Sequence, residues 1–412
     1  MFDVKKEAAA LSAELETIYK DLHRHPEIGY DEHRTSGIIA DYLRACGMEV
    51  QTGIAITGVV GTLDSGRPGK TLLIRADMDC LQVEEMTACD YRSENPGKMH
   101  ACGHDAHVTM LLGAAKLLSA HRDAFRGKIK FLFEPSEESI PASMKETVRA
   151  AGYDGEGGAG FMIQQGVLEG VDMALALHVQ PAVPAGKIQI ARHEATASSD
   201  VYDIMLTGKG GHGAMPENAV DPVPAMAELI TAIHMLPTRE VSSMENCVIS
   251  IGQVELPGSV WNVVPERAHI VGGFRTFNND VRALLRQRIH RCAAWIGQTQ
   301  HPGRLIKTFP CRVIPRGANR CTAVCTQTLG YDATINDEAM ALEVSRTLEN
   351  IVGEGNVILT NKPFMGSEDF GCFTQHEPGV LFWLGIGTGE DDKPLHNPYF
   401  KMDLNALPVG TA

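Results

Sequence analysis

Several absences narrow what this chain can do. There is no excess of positive charge: 37 Lys and Arg stand against 51 Asp and Glu in 412 residues, a formal net charge of −14. No basic cluster offsets that balance, so nucleic acid and anionic membranes are poor electrostatic partners and a small molecule is the expected one. No stretch approaches the ~18 consecutive apolar residues of a membrane span. The opening MFDVKKEAAALSAELETIYK is charged where a secretory leader would carry an apolar core. The ten cysteines show no framework spacing, which fits reduced thiols and a cytoplasmic setting. Internal repeats and low-complexity segments are missing too.

What remains is an ordinary globular composition, 44% hydrophobic and 21% charged, at a length that calls for two domains. Apolar spacing predicts helices over 4–22, 32–45, 105–120 and 158–165, interleaved with short strands at 57–63, 71–76, 128–133 and 173–179. Strands alternating with helices imply an α/β layer with a mostly parallel sheet. Near residue 190 the pattern changes. Strands at 201–206, 247–254 and 268–277, helices at 222–236 and 280–298 and a weaker strand at 304–309 give the order βαββαβ, that of a ferredoxin-like sandwich. A helix at 338–350 and a strand at 380–386 then resume the α/β signal. The expected fold is therefore a discontinuous α/β domain, 1–190 with 308–412, interrupted by an inserted ferredoxin-like domain at 191–307.

The densest chemistry lies in His100-Ala-Cys102-Gly-His104-Asp105-Ala-His107, just before a helix. A cysteine and a histidine around one glycine can face a single concavity, and a helix N-terminus favours thiolate over thiol. The plainer alternative is a buried cysteine among surface histidines. Phe133-Glu-Pro-Ser-Glu137-Glu138 follows a strand end, where open α/β sheets place their sites. There one carboxylate can hold a metal while its neighbour moves a proton, although a solvated acidic loop reads the same way. His178 closes a strand and His396 lies in LHNP. Cys102, His104, Glu138, His178 and His396 exceed what one catalytic zinc takes, but suit two metals sharing a water. In the inserted domain, GKGGHG is a literal G-x-G-x-x-G after a strand. A dinucleotide loop is rejected because residues 215–221 separate it from the next helix, strands rather than a crossover follow, and His212 crowds the turn. Asn262 and Arg275 are polar among apolar neighbours, and Arg275 calls for a carboxylate, from substrate or from the protein itself.

These motifs, with DLHRHPEIGYDEHRTS, IRADMD, NVVPE, GGFRTF, GSEDF and LHNPYF, run through nearly the whole chain. It resembles the aminoacylase, hippurate hydrolase and indole-acetyl-amino-acid hydrolase group of binuclear metal amidohydrolases, relatives of the glutamate carboxypeptidases. The resemblance implies an α/β metal domain with an inserted lid and dimerisation domain. It implies Cys102, His104, Glu138, His178 and His396 as ligands of two divalent ions, zinc or manganese first, with cobalt or nickel admitted. Glu137 would be the general base and Asp79 a carboxylate supporting the ligands. His212 would stabilise the oxyanion, reaching a partner subunit's site in a homodimer, and Asn262 and Arg275 would bind substrate. Departures from the family pattern are Cys80-Leu81-Gln82, where a proline is usual, Glu217, where a histidine is frequent, and an extra segment over 139–154. The expected activity is hydrolysis of N-acyl amino acids, with a carboxypeptidase or dipeptidase as the alternative and a non-catalytic binding relative as the third reading.

Overall fold

In the computed structural model, residues 3–296, 298–299, 320–389 and 391–412 are described. The chain first lays down β1 (Glu49–Ile54), β2 (Gly58–Asp64), β3 (Thr71–Asp77), β4 (Lys128–Glu134), β5 (Met173–Pro184) and β6 (Ile188–Ala191). It continues through β7 (Asp200–Thr207), β8 (Cys247–Glu255), β9 (Arg267–Thr276) and β10 (Thr322–Leu329), and closes with β11 (Val357–Thr360) and β12 (Gly379–Gly387). Two units result: Met1–Thr196 with Tyr331–Ala412, and Ala197–Gly330.

The first unit is built on an eight-stranded sheet in the order β1-β2-β4-β3-β5-β12-β6-β11. Its centre is parallel: β3 pairs with β4 and β5, and β5 with β12, while β1, β2 and β6 add antiparallel partners. β12, GVLFWLGIG, is buried along nearly its whole length, the continuous apolar run expected of a strand covered on both faces. The helix His104–Ala120 is likewise apolar on most sides, with twelve of its residues buried, as a helix packed within the core must be. The expected N-terminal helix breaks in two, Val4–Ala10 and Ser12–Arg24, where Ser12 Oγ turns back onto the Ala9 carbonyl at 2.7 Å.

The second unit carries an antiparallel sheet in the order β8-β9-β7-β10, with residues 298–299 paired parallel to β10. The helices Pro222–Arg239 and Asn279–Ile296 supply Leu229, Ile233, Leu285 and Ile289 to a core shared with Tyr202, Ile270 and Phe274. The strand expected at 304–309 and the expected boundary at 307/308 lie outside the described residues. Among those described, Thr322–Leu329 takes the sheet position beside β7. No helix of the described residues is long and apolar enough to cross a membrane.

Candidate metal centre

Strand ends and one tight turn of the first unit deliver the reactive side chains. β3 ends at Asp77 and is followed by Asp79; β4 ends at Glu134 and is followed by Glu137 and Glu138. Between them Ser136 adopts φ 57°, a left-handed turn that redirects the chain between Glu134 and the Glu137–Glu138 pair. It is held there by its N–H to Glu32 Oε1 at 2.9 Å and by Oγ donating to the Ser139 carbonyl at 2.9 Å. Gly103, at φ 86°, lets the chain turn from Cys102 into the helix at His104; a Cβ there would lie 2.5 Å from Val179 Cγ2. His178 sits within β5, opposite Trp383 of β12, rather than at a strand end, because β5 runs on to Pro184.

Seven of the expected residues meet. Cys102 Sγ is 3.3 Å from His396 Nε2 and 3.5 Å from His178 Nε2, so the sulfur lies between two imidazoles. His396 Nε2 is 3.1 Å from Glu138 Oε1. His104 Nε2 is 3.8 Å from Glu137 Oε2, and its Nδ1 is 3.1 Å from Asp79 Oδ1. Asp79 Oδ2 accepts the Glu138 N–H at 3.2 Å and so ties both groups together. Two donor sets share Glu138 here, Cys102–Glu138–His396 and His104–Glu137–Glu138, and a third gathers Asp77, His104, His107 and His178.

The charges around these donors call for cations. His104 Nε2 is buried without a hydrogen-bond partner, an arrangement unfavourable for a polar atom unless something binds it. Burial draws the His104 pKa down, yet Asp77 and Asp79 outweigh it and carry it to about 10. The expected thiolate preference of Cys102 is reversed in the protein alone. Burial, then Glu138 and Glu137, push the thiol well above its ordinary range, outweighing the helix N-terminus; a bound cation would restore the thiolate. His178 is kept well below the usual histidine range by burial and by His107; a neutral imidazole is the form that ligates metal. Soft sulfur, imidazole and carboxylate converging in two donor sets fit two divalent ions.

Glu137 belongs to two groups, standing with His104 and Glu138 on one side and with Glu368 and Asp369 on the other. Burial first, then Glu368, Glu138 and Asp369, push its carboxyl well above the ordinary range, which makes it a stronger proton acceptor than an ordinary carboxylate.

Behind the ligands lies a further layer, in which His107, one of the possible donors of the HACGHDAH cluster, serves as a support. His107 Nδ1 is 2.6 Å from Asp77 Oδ1, and its Nε2 accepts the Val179 N–H at 2.9 Å, which assigns the ring proton to Nδ1. Asp77 in turn takes Arg75 Nη1 at 2.6 Å. The signal lay in LLIRAD, where an arginine inside an apolar strand demands acidic partners. His100, by contrast, joins none of these groups. It is buried, and burial lowers its pKa to about 4, so it acts as a neutral core side chain.

Beside the centre, His23 bridges two acids, with Nδ1 2.6 Å from Asp105 Oδ2 and Nε2 3.4 Å from Glu85 Oε1. Burial opposes its charge, but Asp105 and Glu85 prevail and raise the pKa from 6.5 to about 10. An imidazolium of that kind stabilises the fold fully below pH 6.5, and its contribution drains away as pH climbs through about 10. His23→Gln is therefore expected to flatten the fall in melting temperature between about pH 7 and 10. Parallel profiles for variant and wild type would show that the bridge carries no such linkage.

The other expected residues belong to the second unit. His212 pairs with Val263 in a two-stranded ribbon, and the Gly213 N–H donates to the Asn262 carbonyl at 3.0 Å. The Ala214 N–H donates to His212 Nδ1 at 3.1 Å, so a neutral ring carries its proton on Nε2. The glycines of GKGGHG serve close packing: a Cβ at Gly208 would meet the Val220 carbonyl at 2.0 Å and one at Gly213 the Asn262 carbonyl at 2.6 Å. Arg275, half-buried in β9 opposite Val248, has its pKa lowered by burial.

Known proteins share this arrangement of sequence and fold. The profile of Peptidase family M20/M25/M40 matches residues 73–412. The chain is 33% identical over 398 residues to "Thermostable carboxypeptidase 1" of Saccharolobus solfataricus, covering 95% of this chain and 91% of that protein. It is 32% identical over 404 residues to "IAA-amino acid hydrolase ILR1-like 4" of Arabidopsis thaliana, covering 96% and 82%. A crystal structure described as a dinuclear metal binding peptidase from the M20 family, of Bacillus subtilis, superposes with a TM-score of 0.74 at 26% identity, covering 98% of this chain and 96% of that one. The chain is a metal-dependent hydrolase and belongs to Peptidase family M20/M25/M40.

Proposed function

We propose that the protein hydrolyses the amide bond of N-acyl amino acids, with an acetyl, benzoyl or similar acyl group, to a carboxylic acid and a free amino acid. One observation carries this reading: of the two neighbouring carboxylates that follow the Ser136 turn, Glu138 lies beside Cys102 and His396, while Glu137 lies between His104 and the buried Glu368 and Asp369. Cys102, His104, Glu138, His178 and His396 would hold the two divalent ions. Thiolate and imidazole favour zinc, while carboxylate and open positions admit manganese, cobalt or nickel. When bound, the ions supply Lewis acidity that polarises the amide carbonyl and acidifies water. Glu137 takes the proton of the attacking water and returns it to the leaving amine. Asp79 orients His104 and the Glu138 backbone. His212, with Nε2 as donor, stabilises the oxyanion; Asn262 binds the substrate backbone and Arg275 its carboxylate.

The expected lid role of the second unit and a homodimer through it belong to the same proposal, with His212 serving the partner subunit's site. β8 supports the dimer, since this edge strand exposes Val248 and Val254, the kind of edge that pairs with another chain. A cytoplasmic setting is supported by nine free thiols among the described residues. The 33% identity to a carboxypeptidase favours one second reading, cleavage of short peptides, which also releases a free amino acid.

Chelation is expected to abolish turnover, and reconstitution with individual divalent ions to restore it on a panel of acetyl-, benzoyl- and indole-acetyl-amino acids assayed beside dipeptides. Since metal binding is also folding free energy, the chelated protein should melt at lower temperature. Full activity after chelation would refute the reading, and hydrolysis of dipeptides alone would select the second one.

A further inference from the structure

An aromatic column leads from the metal centre to open surface. Trp383 lies against His178, with ring centroids 5.1 Å apart, and Phe364 meets Trp383 edge-on at 5.6 Å and 72°. Trp383 is buried, whereas Phe364 is 48% exposed. Phe364 is nevertheless fixed. Its N–H donates to the Ala195 carbonyl at 2.9 Å, its backbone bridges to Thr196, and its ring occupies the space above Gly366, where a Cβ would lie 2.1 Å from Phe364 Cε1. The ring therefore cannot sink into the core, and it presents an apolar face two ring contacts from His178.

We infer that Phe364, backed by Trp383, is the residue that selects the acyl group, and that the acyl group it selects is aromatic. The inference rests on the N-acyl amino acid reading. Such a substrate has a charged end, the amino-acid carboxylate, and an uncharged acyl end; a half-open phenyl ring two ring contacts from His178 matches the uncharged end. Aromatic pairs gain from edge-to-face and offset geometry beyond the area they bury, and an exposed ring already held in place loses little freedom on binding. Trp383, pinned between Phe364 and His178, acts as a positioning residue for both.

The test compares N-benzoyl and N-acetyl derivatives of one amino acid, for wild type, Phe364→Ala and Phe364→Tyr, as kcat/KM and as equilibrium binding to the metal-loaded Glu137→Gln protein. Wild type should prefer benzoyl; Phe364→Ala should lose at least about tenfold more on benzoyl than on acetyl, chiefly through KM and binding. Phe364→Tyr, which retains the ring, should keep the preference, and all three proteins should hold the same metal content. An unchanged benzoyl-to-acetyl ratio in Phe364→Ala overturns the inference. A change that follows the amino-acid side chain instead of the acyl group overturns it too. If wild type cleaves peptides and no N-acyl amino acid, the functional reading fails separately, and the binding ratio still decides the role of Phe364.

Discussion

Glu137→Gln is expected to keep its metals and lose about three orders of magnitude in kcat, within the usual range for removing a general base. The amide has the carboxylate's shape but cannot accept and return a proton. The ligand side chains are untouched, because Glu138 keeps its place near Cys102 and His396. Stability should not fall, since the substitution removes a charge that Glu368 and Asp369 oppose. Cys102→Ala supplies the contrast. It deletes the sulfur between His396 and His178 and should lose metal and turnover together. Metal analysis beside kcat separates the two outcomes. Turnover retained by Glu137→Gln would dismiss the assignment of the base, and metal lost from it would mean that Glu137 is a ligand.

Residues close in sequence made much of this arrangement legible in advance. Glu137 and Glu138 follow a strand end, and Cys102 and His104 flank a single glycine, so local chain geometry already aims each pair at one place. Apolar runs marked β3, β4 and β12 for the same reason: strands covered on both faces have little else in them. Less local features were harder to read. Residues 322–329, TAVCTQTL, place Thr and Gln among few apolar side chains, a pattern that does not announce a strand. β5 continues past His178 through Pro181 and Pro184, where prolines suggest a stop. Its pairing with β12 shifts register between Gly385 and Gly387, and an irregular end of that kind tolerates proline. Arg75 within an apolar strand marked the need for acidic partners but not which they are, and Asp369, 294 residues away, is the extreme case.

That arginine leads to the largest expected effect on stability. Arg75 is buried with four carboxylates around it: Nε at 2.6 Å from Glu134, Nη1 at 2.6 Å from Asp77, and Nη2 at 2.9 Å from Glu368 and 2.8 Å from Asp369. Removing one partner of a buried ion pair typically costs about 3–5 kcal/mol, because the other charge is left uncompensated. Here one substitution strands several, so Arg75→Met should reach or exceed that range. Arg75→Lys should recover only part, since an ammonium cannot reproduce the planar fork that engages four acids at once. The loss should shrink as pH falls. Burial and Glu134 already push Asp369 well above the usual carboxylate range, and stranded acids without the guanidinium will take up protons more readily still. Urea or thermal unfolding of metal-free wild type and variant across about pH 5 to 8 measures this directly, and a gap that stays constant or widens toward acid would refute it. The consequence for function follows from geometry: Asp77 holds His107, and His107 receives the N–H of Val179, the neighbour of His178. Asp369 also accepts the N–H groups of Gly158 and Ala159 at 3.2 and 3.0 Å. Arg75 therefore fixes the layer on which the ligand side chains rest, and its loss should loosen metal binding even under conditions where the chain remains folded.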